Sequence, residues 1–539
     1  MATARELLRQ GRTDELWQRY LGFLDLSLEE AMTIQKRKVL EHVAWLAPCE
    51  LGRKIIGPHV PKTVDEFRER VPLTTYADYA PYLLERKADA LPEEPLHWMR
   101  TSGRGGEYSA KWSPVFRDAW EDMGYRAAGA IVVMAAARFK GDFRVRARDK
   151  LPFTWAPPPF SLGLMGKSLL EELPLVAMPA EDVAASMDFQ QRIGTALQMG
   201  MREGIDHFFG LASVLVKIGE QFAQNSSRRR HSAGGLPHPK TLWRILKGLA
   251  RSKLAGRPMY PKDLWDVKGI AAGGTDTSVF AERIYKYWGV KPLEIYGSAE
   301  FGTIGLQTWD RQAITPLIYG VFFEFIPAED SLRSREEPGH ASKTLLLDEV
   351  QPGEVYEIVL TSFKFTPFTR YRIGDLVRVV ARRNEAHGID LPQFTVEGRW
   401  DDVIDLAGFT RLTERTIWYA IEGSGIPYEE WMCRKEMENE DPVLRLWLEP
   451  KDHTAQVPEV QGAIHESLKQ LDSDYRDLET MLGYHPLRVT LLSPGTFQRY
   501  ALNRQAAGAE PAHFKPRHFV HSDEVLNMVL QMDAEGRQG

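Results

Sequence analysis

The most constraining feature of this sequence is a strand, a glycine turn, a helix and a second strand in immediate succession. Lys268-Gly269-Ile270-Ala271-Ala272-Gly273-Gly274 is a short apolar run closed by a glycine pair, the pattern of a strand entering a turn. Phe280, Ile284 and Trp288 then return at helical spacing, and Pro292-Leu293-Glu294-Ile295-Tyr296-Gly297 reads as the next short strand. Two strands joined through a crossover helix lie parallel, because parallel neighbours need a long connection. Open α/β sheets bind ligands outside the carboxyl ends of their strands. The chain is therefore predicted to be α/β, with its chemistry near Gly273, Gly274 and the residues from Tyr296 onward.

Composition narrows the choice further. A chain of 539 residues, 43% hydrophobic and 26% charged, can bury a large core, and wholesale disorder is excluded. One large α/β domain with a smaller companion fits the length. The 68 basic and 74 acidic residues leave a formal net charge of −6, which argues against a partner nucleic acid or a membrane surface. Any phosphate must then be held by local geometry. The two cysteines, Cys49 and Cys433, cannot build a disulfide framework or a structural zinc cluster, and suit a reducing compartment. The N-terminus mixes charges from Arg5 onward and lacks the apolar core of a signal peptide. The longest apolar stretch, Ala127 to Ala137, falls short of the ~20 residues a membrane helix needs and reads as a buried helix or strand. A soluble, cytoplasmic protein is expected.

The first hundred residues read as helices. Ser27 followed by Glu29 and Glu30 marks a helix start, with Gln35, Val39, Leu40 and Val43 along it and Pro48 beyond its end. A second helix is predicted after Thr63, and a third around Thr75-Tyr76-Ala77-Asp78. From Trp98 onward strands, glycine turns and helices are expected to alternate. The basic stretch within Ser226–Gly235 is either a solvated loop or a docking site for an acidic partner.

Five segments carry residue types suited to nucleotide chemistry. Thr101-Ser102-Gly103-Arg104-Gly105-Gly106-Glu107, with Lys111 behind it, combines hydroxyls, glycines that let backbone N–H groups approach an anion, and a charge-neutralising lysine. It lacks the ending of a Walker loop, and a glycine-rich surface turn would look the same. Ala272 to Thr277, with Gly273 and Gly274, is either such a turn or a plain helix start. Tyr296-Gly297-Ser298-Ala299-Glu300 brings an aromatic, a hydroxyl and a carboxylate to one strand end; the glutamate suits Mg²⁺, which prefers oxygen ligands. Gly353 to Ser362 leads to Arg370-Tyr371-Arg372-Ile373-Gly374-Asp375, where Asp375 either accepts both hydroxyls of a ribose or is an ordinary turn aspartate. The fifth segment is Gly398-Arg399-Trp400-Asp401-Asp402, with Gly408 and Glu414 behind it.

In this order the segments resemble the adenylate-forming enzymes, which activate a carboxylic acid as acyl-AMP. Within them the chain is most similar to the auxin-responsive Gretchen Hagen family of acyl-acid amido synthetases. Thr33-Ile34-Gln35, Val71-Pro72-Leu73-Thr74-Thr75-Tyr76, the Gly353–Thr361 and Tyr371–Asp375 runs, Pro494-Gly495-Thr496-Phe497 and His513-Phe514-Lys515-Pro516-Arg517 carry the resemblance. It implies an α/β adenylation domain over residues 1–397 and a smaller α/β C-terminal lid over 398–539, hinged at Asp401. It further implies ATP and Mg²⁺ as cofactors. Thr101, Ser102, Gly103 and Lys111 would bind the phosphates, and Gly273, Gly274, Tyr296, Gly297 and Ser298 would frame adenine and the α-phosphate. Asp375 and Arg399 would complete the ATP site, with Glu300 on the metal and Lys515 at the reacting carboxylate.

The loop Arg104–Ala110 is longer than the family pattern and has Arg104 where a second hydroxyl is expected, so either Arg104 contacts phosphate or the loop has lost its function. Trp155 and Phe160, in an apolar proline-rich segment, and Phe208 are candidates for the acyl pocket, or for core packing. Three functions follow: an acid–amine ligase, with an amino acid as the expected acceptor; a thioester ligase using coenzyme A or a carrier thiol; and a non-catalytic scaffold.

Overall fold

The computed structural model describes all residues except 1, 101–110, 228–237, 274–276, 338–339, 401–402, 407–409, 439–440, 453, 473–474, 477–484, 507–516, 521 and 539. The described chain divides into two compact units. One holds the residues up to 373 together with 377–396; the other holds 374–376 and the residues from 397 onward.

The first unit begins with helices whose ends are written in the sequence. Ser27 accepts from the Glu30 backbone N–H, and the Glu30 carboxylate accepts from the Ser27 N–H, closing a capping box on the helix Leu28–Leu46. Thr63 caps Val64–Arg70 in the same position, and Thr75 starts Tyr76–Leu83. Gln35, in the Thr33-Ile34-Gln35 run, has a structural role. Its amide donates to the backbone oxygens of Ile318 and Val321 and accepts from Phe323 N–H, which fastens the helix to the sheet.

The strands β1 (His97–Arg100) and β2 (Trp112–Val115) form an antiparallel hairpin, so the stretch after Trp98 does not open on a strand–helix unit as expected. β3 (Lys150–Pro152) and β4 (Val176–Met178) are a small parallel pair. The main sheet has ten strands: β5 (His207–Leu211), β6 (Gly269–Gly273), β7 (Leu293–Ser298), β8 (Gly302–Gln307), β9 (Ile314–Pro316), β10 (Val321–Pro327), β11 (Leu345–Leu346), β12 (Val355–Ser362), β13 (Tyr371–Ala381) and β14 (Gln393–Arg399). Their order is β11-β10-β12-β13-β14-β9-β8-β7-β6-β5. The parallel pairing of β6 and β7 through the helix Thr277–Trp288 is as the sequence predicts, and β5 joins them in parallel. Beyond β7 the observed pairings with β8 and of β8 with β9 are antiparallel, giving a mixed sheet. Ala127–Ala136 is helical and largely buried, with Ala137 extended beyond its end; one wide π-helical turn over Met123–Gly129 precedes the α-helix Ala130–Ala136.

In the second unit β15 (Val403–Leu406) pairs with β16 (Thr410–Thr413). β17 (Tyr428–Glu438) pairs antiparallel with β18 (Asp441–Pro450), which runs parallel to β19 (Leu487–Leu491). The helices Thr496–Ala506 and Asp523–Gln538 pack on this sheet around Met432, Trp447, Phe497, Tyr500 and Val529. Among the described residues no helix is long and apolar enough to cross a membrane.

Candidate active site

The parallel strands β5, β6 and β7 end at Leu211, Gly273 and Ser298, on the edge where α/β sheets hold ligands. β7 turns sharply into β8 through Ala299, Glu300 and Phe301. The turn is held from both sides: Phe301 N–H donates to Ser298 Oγ at 3.3 Å, and Thr366 Oγ1 donates to the Glu300 carbonyl at 2.8 Å. The peptide of Gly297 lies so close to β8 that a Cβ there would stand 2.5 Å from the Gly302 carbonyl. Only glycine fits, and the tight approach fixes where the Glu300 carboxylate emerges.

Lys111 meets that carboxylate. Its Nζ is 3.8 Å from Glu300 Oε1, although 189 positions separate the two residues in the chain (300 − 111). Tyr76 orients the lysine: its hydroxyl accepts from Trp112 N–H and donates to the Trp112 carbonyl, while Lys111 Nζ lies 4.9 Å over its ring. Tyr76, noted in the sequence only as part of a motif and as a helix start, is thus a support of the site.

The other candidates are placed as follows. Gly273 closes β6. The Tyr296 ring is buried edge-on against Phe394, and Gly297 and Ser298 serve the turn just described. Asp375 does not follow a glycine turn. It lies within β13, where Gly374 adopts φ +86° so that the strand can pass Arg399 and Trp400, and Arg399 Nη1 is 3.2 Å from Asp375 Oδ1. Thr101, Ser102, Gly103, Gly274, Asp401 and Lys515 lie outside the described residues, as does the arginine-rich part of the Ser226–Gly235 stretch.

Trp155 stacks on Phe153 at 4.5 Å and meets Phe209 edge-on, and Phe208 packs on Trp288; all are core residues. Phe160, half-buried, packs against Arg100. None of the three lines a cavity found in the first unit. That cavity has a volume of about 480 Å³ and is walled by Tyr125 and Arg126 of the π-helical turn, by Phe301 and Thr303 next to Glu300, and by Tyr319 and Phe363. Thr303 Oγ1 itself is buried and has no hydrogen-bond partner among the described residues. Sequence periodicity could not reveal the cavity, because its walls come from segments far apart in the chain.

The arginines and glutamates around the Gly353–Asp375 motif prove to be internal. Arg370 forks onto Glu324 with bonds of 2.9 and 3.1 Å, and both are buried. Glu357 is buried between Arg372 and Arg335; burial pushes its carboxyl upward, but the Arg372 bonds outweigh this and hold it below the usual range. Of these pairs only Glu357 and Arg372 join β12 to β13; Arg370 reaches β10 and Arg335 comes from the helix Ala328–Glu336.

In the second unit His518 carries no sequence signal that marks it out. Its ring is buried, stacked at 3.9 Å on Trp431, with Nδ1 2.6 Å from Glu414 and Nε2 2.9 Å from Glu430. Burial alone would strip its proton, but two carboxylates on two ring nitrogens require both N–H groups, and the pKa rises to about 9.

Comparison with known proteins agrees with this architecture. Residues 20–149 match the GH3 family N-terminal domain and residues 314–399 the GH3 family central domain. A mouse GH3 domain-containing protein is 26% identical over 47% of this chain and 46% of its own; the chain spans about half the length of the first curated relatives it matches. A probable indole-3-acetic acid-amido synthetase GH3.1 of rice is 23% identical over 94% of this chain and 90% of its own. Among solved structures, an AtGH3.15 acyl acid amido synthetase in complex with 2,4-DB superposes with a TM-score of 0.66 at 18% identity, covering 97% of this chain and 96% of that one. A 2-hydroxyisobutyryl-CoA ligase gives 0.60 at 17% identity, covering 94% and 92%. The fold is the one these two solved structures share. By sequence the similarity to the GH3 family lies in residues 20–149 and 314–399.

Proposed function

We propose that this protein activates a carboxylic acid with ATP and passes the acyl group to an amine, with an amino acid as the acceptor. The observation that carries this reading is the meeting of Lys111 and Glu300 at the carboxyl ends of the parallel strands. In the first step a carboxylate oxygen bonds to the α-phosphorus, and the bond to the bridging oxygen breaks, releasing pyrophosphate. In the second a neutral amine attacks the acyl carbon, AMP leaves, and the amine's extra proton passes to solvent. Negative charge grows on the phosphate in the first step, so fixed positive charge there accelerates it. Lys111 is one source of that charge, and Lys515 is the other by resemblance.

Mg²⁺ fits Glu300. Its carboxylate accepts no hydrogen bond among the described residues, and among them no group of three or more His, Cys, Asp and Glu forms a cage. One carboxylate suits an ion held mainly by phosphate and water. When bound, the ion neutralises charge on the phosphates. Asp375, oriented by Arg399, is assigned to the ribose hydroxyls. The acid's body is assigned to the 480 Å³ cavity beside Thr303 rather than to Trp155, Phe160 and Phe208. Residues 1–397 are assigned as the adenylation domain, and 398–539 as the lid with its hinge at Asp401.

The test is acid-dependent exchange of labelled pyrophosphate into ATP across aromatic and aliphatic acids, followed by one incubation with amino acids and coenzyme A together. Exchange and an amide product are expected. No exchange with any acid, or acyl-CoA with no amide, overturns the reading.

A further inference from the structure

The helix Pro239–Leu254 is unlike the others of this protein. It packs on the rest of the first unit through Gly248 and Ser252, which are buried. Its opposite side carries Leu242, Trp243, Leu246, Leu249 and Leu254 in the open, with Trp243 64% and Leu254 90% exposed. These are five of the eighteen large hydrophobic side chains exposed among the described residues, gathered on sixteen positions. At 100° per residue they fall on one arc of about 140°, which Lys253 shares. A contiguous apolar stripe of this kind on a surface marks a contact.

The charge on this helix says what kind. Its sequence holds Lys240, Arg244, Lys247, Arg251 and Lys253 and no aspartate or glutamate. Lys247 and Arg251 share Asp266, at 2.9 and 3.0 Å, and Arg244 is turned inward to the Met201 carbonyl at 2.6 Å. Lys240 and Lys253 are exposed and have no acidic partner among the described residues. The chain's overall charge of −6 conceals this local concentration of positive charge.

We propose that the exposed face of Pro239–Leu254 docks on an anionic lipid surface. A helix with leucines and a tryptophan on one arc, the long side chain of Lys253 rising from within that arc and Lys240 at its margin, lies in the plane of a bilayer interface, with its apolar arc among the acyl chains and the two ammonium groups reaching the headgroups. A second copy of the same face would bring like charges together, which disfavours self-association through it. A protein partner would have to offer both a groove and acidic groups; an anionic bilayer offers both without shape matching.

The full-length protein is mixed with vesicles of phosphatidylcholine alone and with vesicles containing about 30% phosphatidylglycerol, and the bound fraction is measured by co-sedimentation. Two variants are compared: Trp243→Ser with Leu246→Ser, and Lys240→Glu with Lys253→Glu. All of these positions are exposed, and unchanged thermal unfolding checks that each variant is folded. Binding is expected on the anionic vesicles, weakened by salt, and about tenfold lower in each variant. Equal binding to both vesicle types, binding unchanged in the Trp243/Leu246 variant, or no vesicle binding overturns the proposal, the last even where an acidic protein is retained.

Discussion

At the residue scale, the site rests on one part-buried ion pair and one supporting ring. The Lys111–Glu300 contact lies at 3.8 Å, longer than a hydrogen bond, so Glu300 can turn to a ligand without breaking a strong bond to this lysine. Replacing Glu300 with Gln keeps the shape and removes the charge. The expected result is a fall in the adenylation kcat of about 10²–10³, or about 2–4 kcal/mol, with the thermal midpoint close to wild type. Pyrophosphate exchange measured over a magnesium series checks it; unchanged exchange at low magnesium would remove Glu300 from the metal. Other charged residues nearby play a different part. Arg370 and Glu324 are buried together, and such pairs hold strands in place rather than act on ligands. Sequence alone could not separate the two kinds, because Lys111 and Arg370 both stand in segments whose residue types suit nucleotide chemistry, and only their surroundings differ.

At the element scale, the β7–β8 turn is the device that presents Glu300. It depends on Gly297, where added bulk would meet the Gly302 backbone rather than a side chain able to swing away. Gly297→Ala is expected to cost about 1–3 kcal/mol, lowering the thermal midpoint by a few degrees and reducing adenylation, since relieving the clash moves the turn. Calorimetry and exchange assays on the same preparation test both halves; a midpoint and rate like wild type would show that the two strands can part freely. Helix starts were the most legible elements in the sequence. Ser27, Thr63 and Thr75 each stand where a capping oxygen is needed, and capping is a short-range interaction. The hairpin β1–β2 and the strand around Asp375 were less legible, since each pairs with chain that is not adjacent.

At the scale of the whole molecule, the two units face pH in opposite ways. In the first, His42 is buried against Thr369 and near Lys364; burial first, and that positive charge second, lower its pKa to about 3. The unfolded chain binds this proton below its ordinary value of 6.5, so the contribution of His42 is whole above that pH and is lost as pH falls toward 3. In the second unit His518 is raised to about 9, so its contribution is whole below 6.5 and is lost as pH rises through 9. Each amounts to roughly 3–5 kcal/mol. Denaturant unfolding from pH 4 to 10 is expected to weaken the first unit on the acid side and the second on the alkaline side. His518→Gln should flatten the alkaline limb; a limb of the same slope in that variant would mean that another group titrates.

The sequence by itself determined the α/β class, the parallel β6–β7 pair, the early helix boundaries and the residue types able to handle a nucleotide. These follow from periodicity, caps and glycine turns, which act over a few positions. The tertiary structure alone decided which of them meet. It brought Lys111 to Glu300 under Tyr76, and withdrew Trp155 and Phe208 into the core. It opened a cavity beside Thr303 instead, and closed two carboxylates on His518. The physical reason is that burial and pairing depend on which surfaces of distant segments are in contact, and one chain's local pattern is compatible with many such contacts until the whole core is packed.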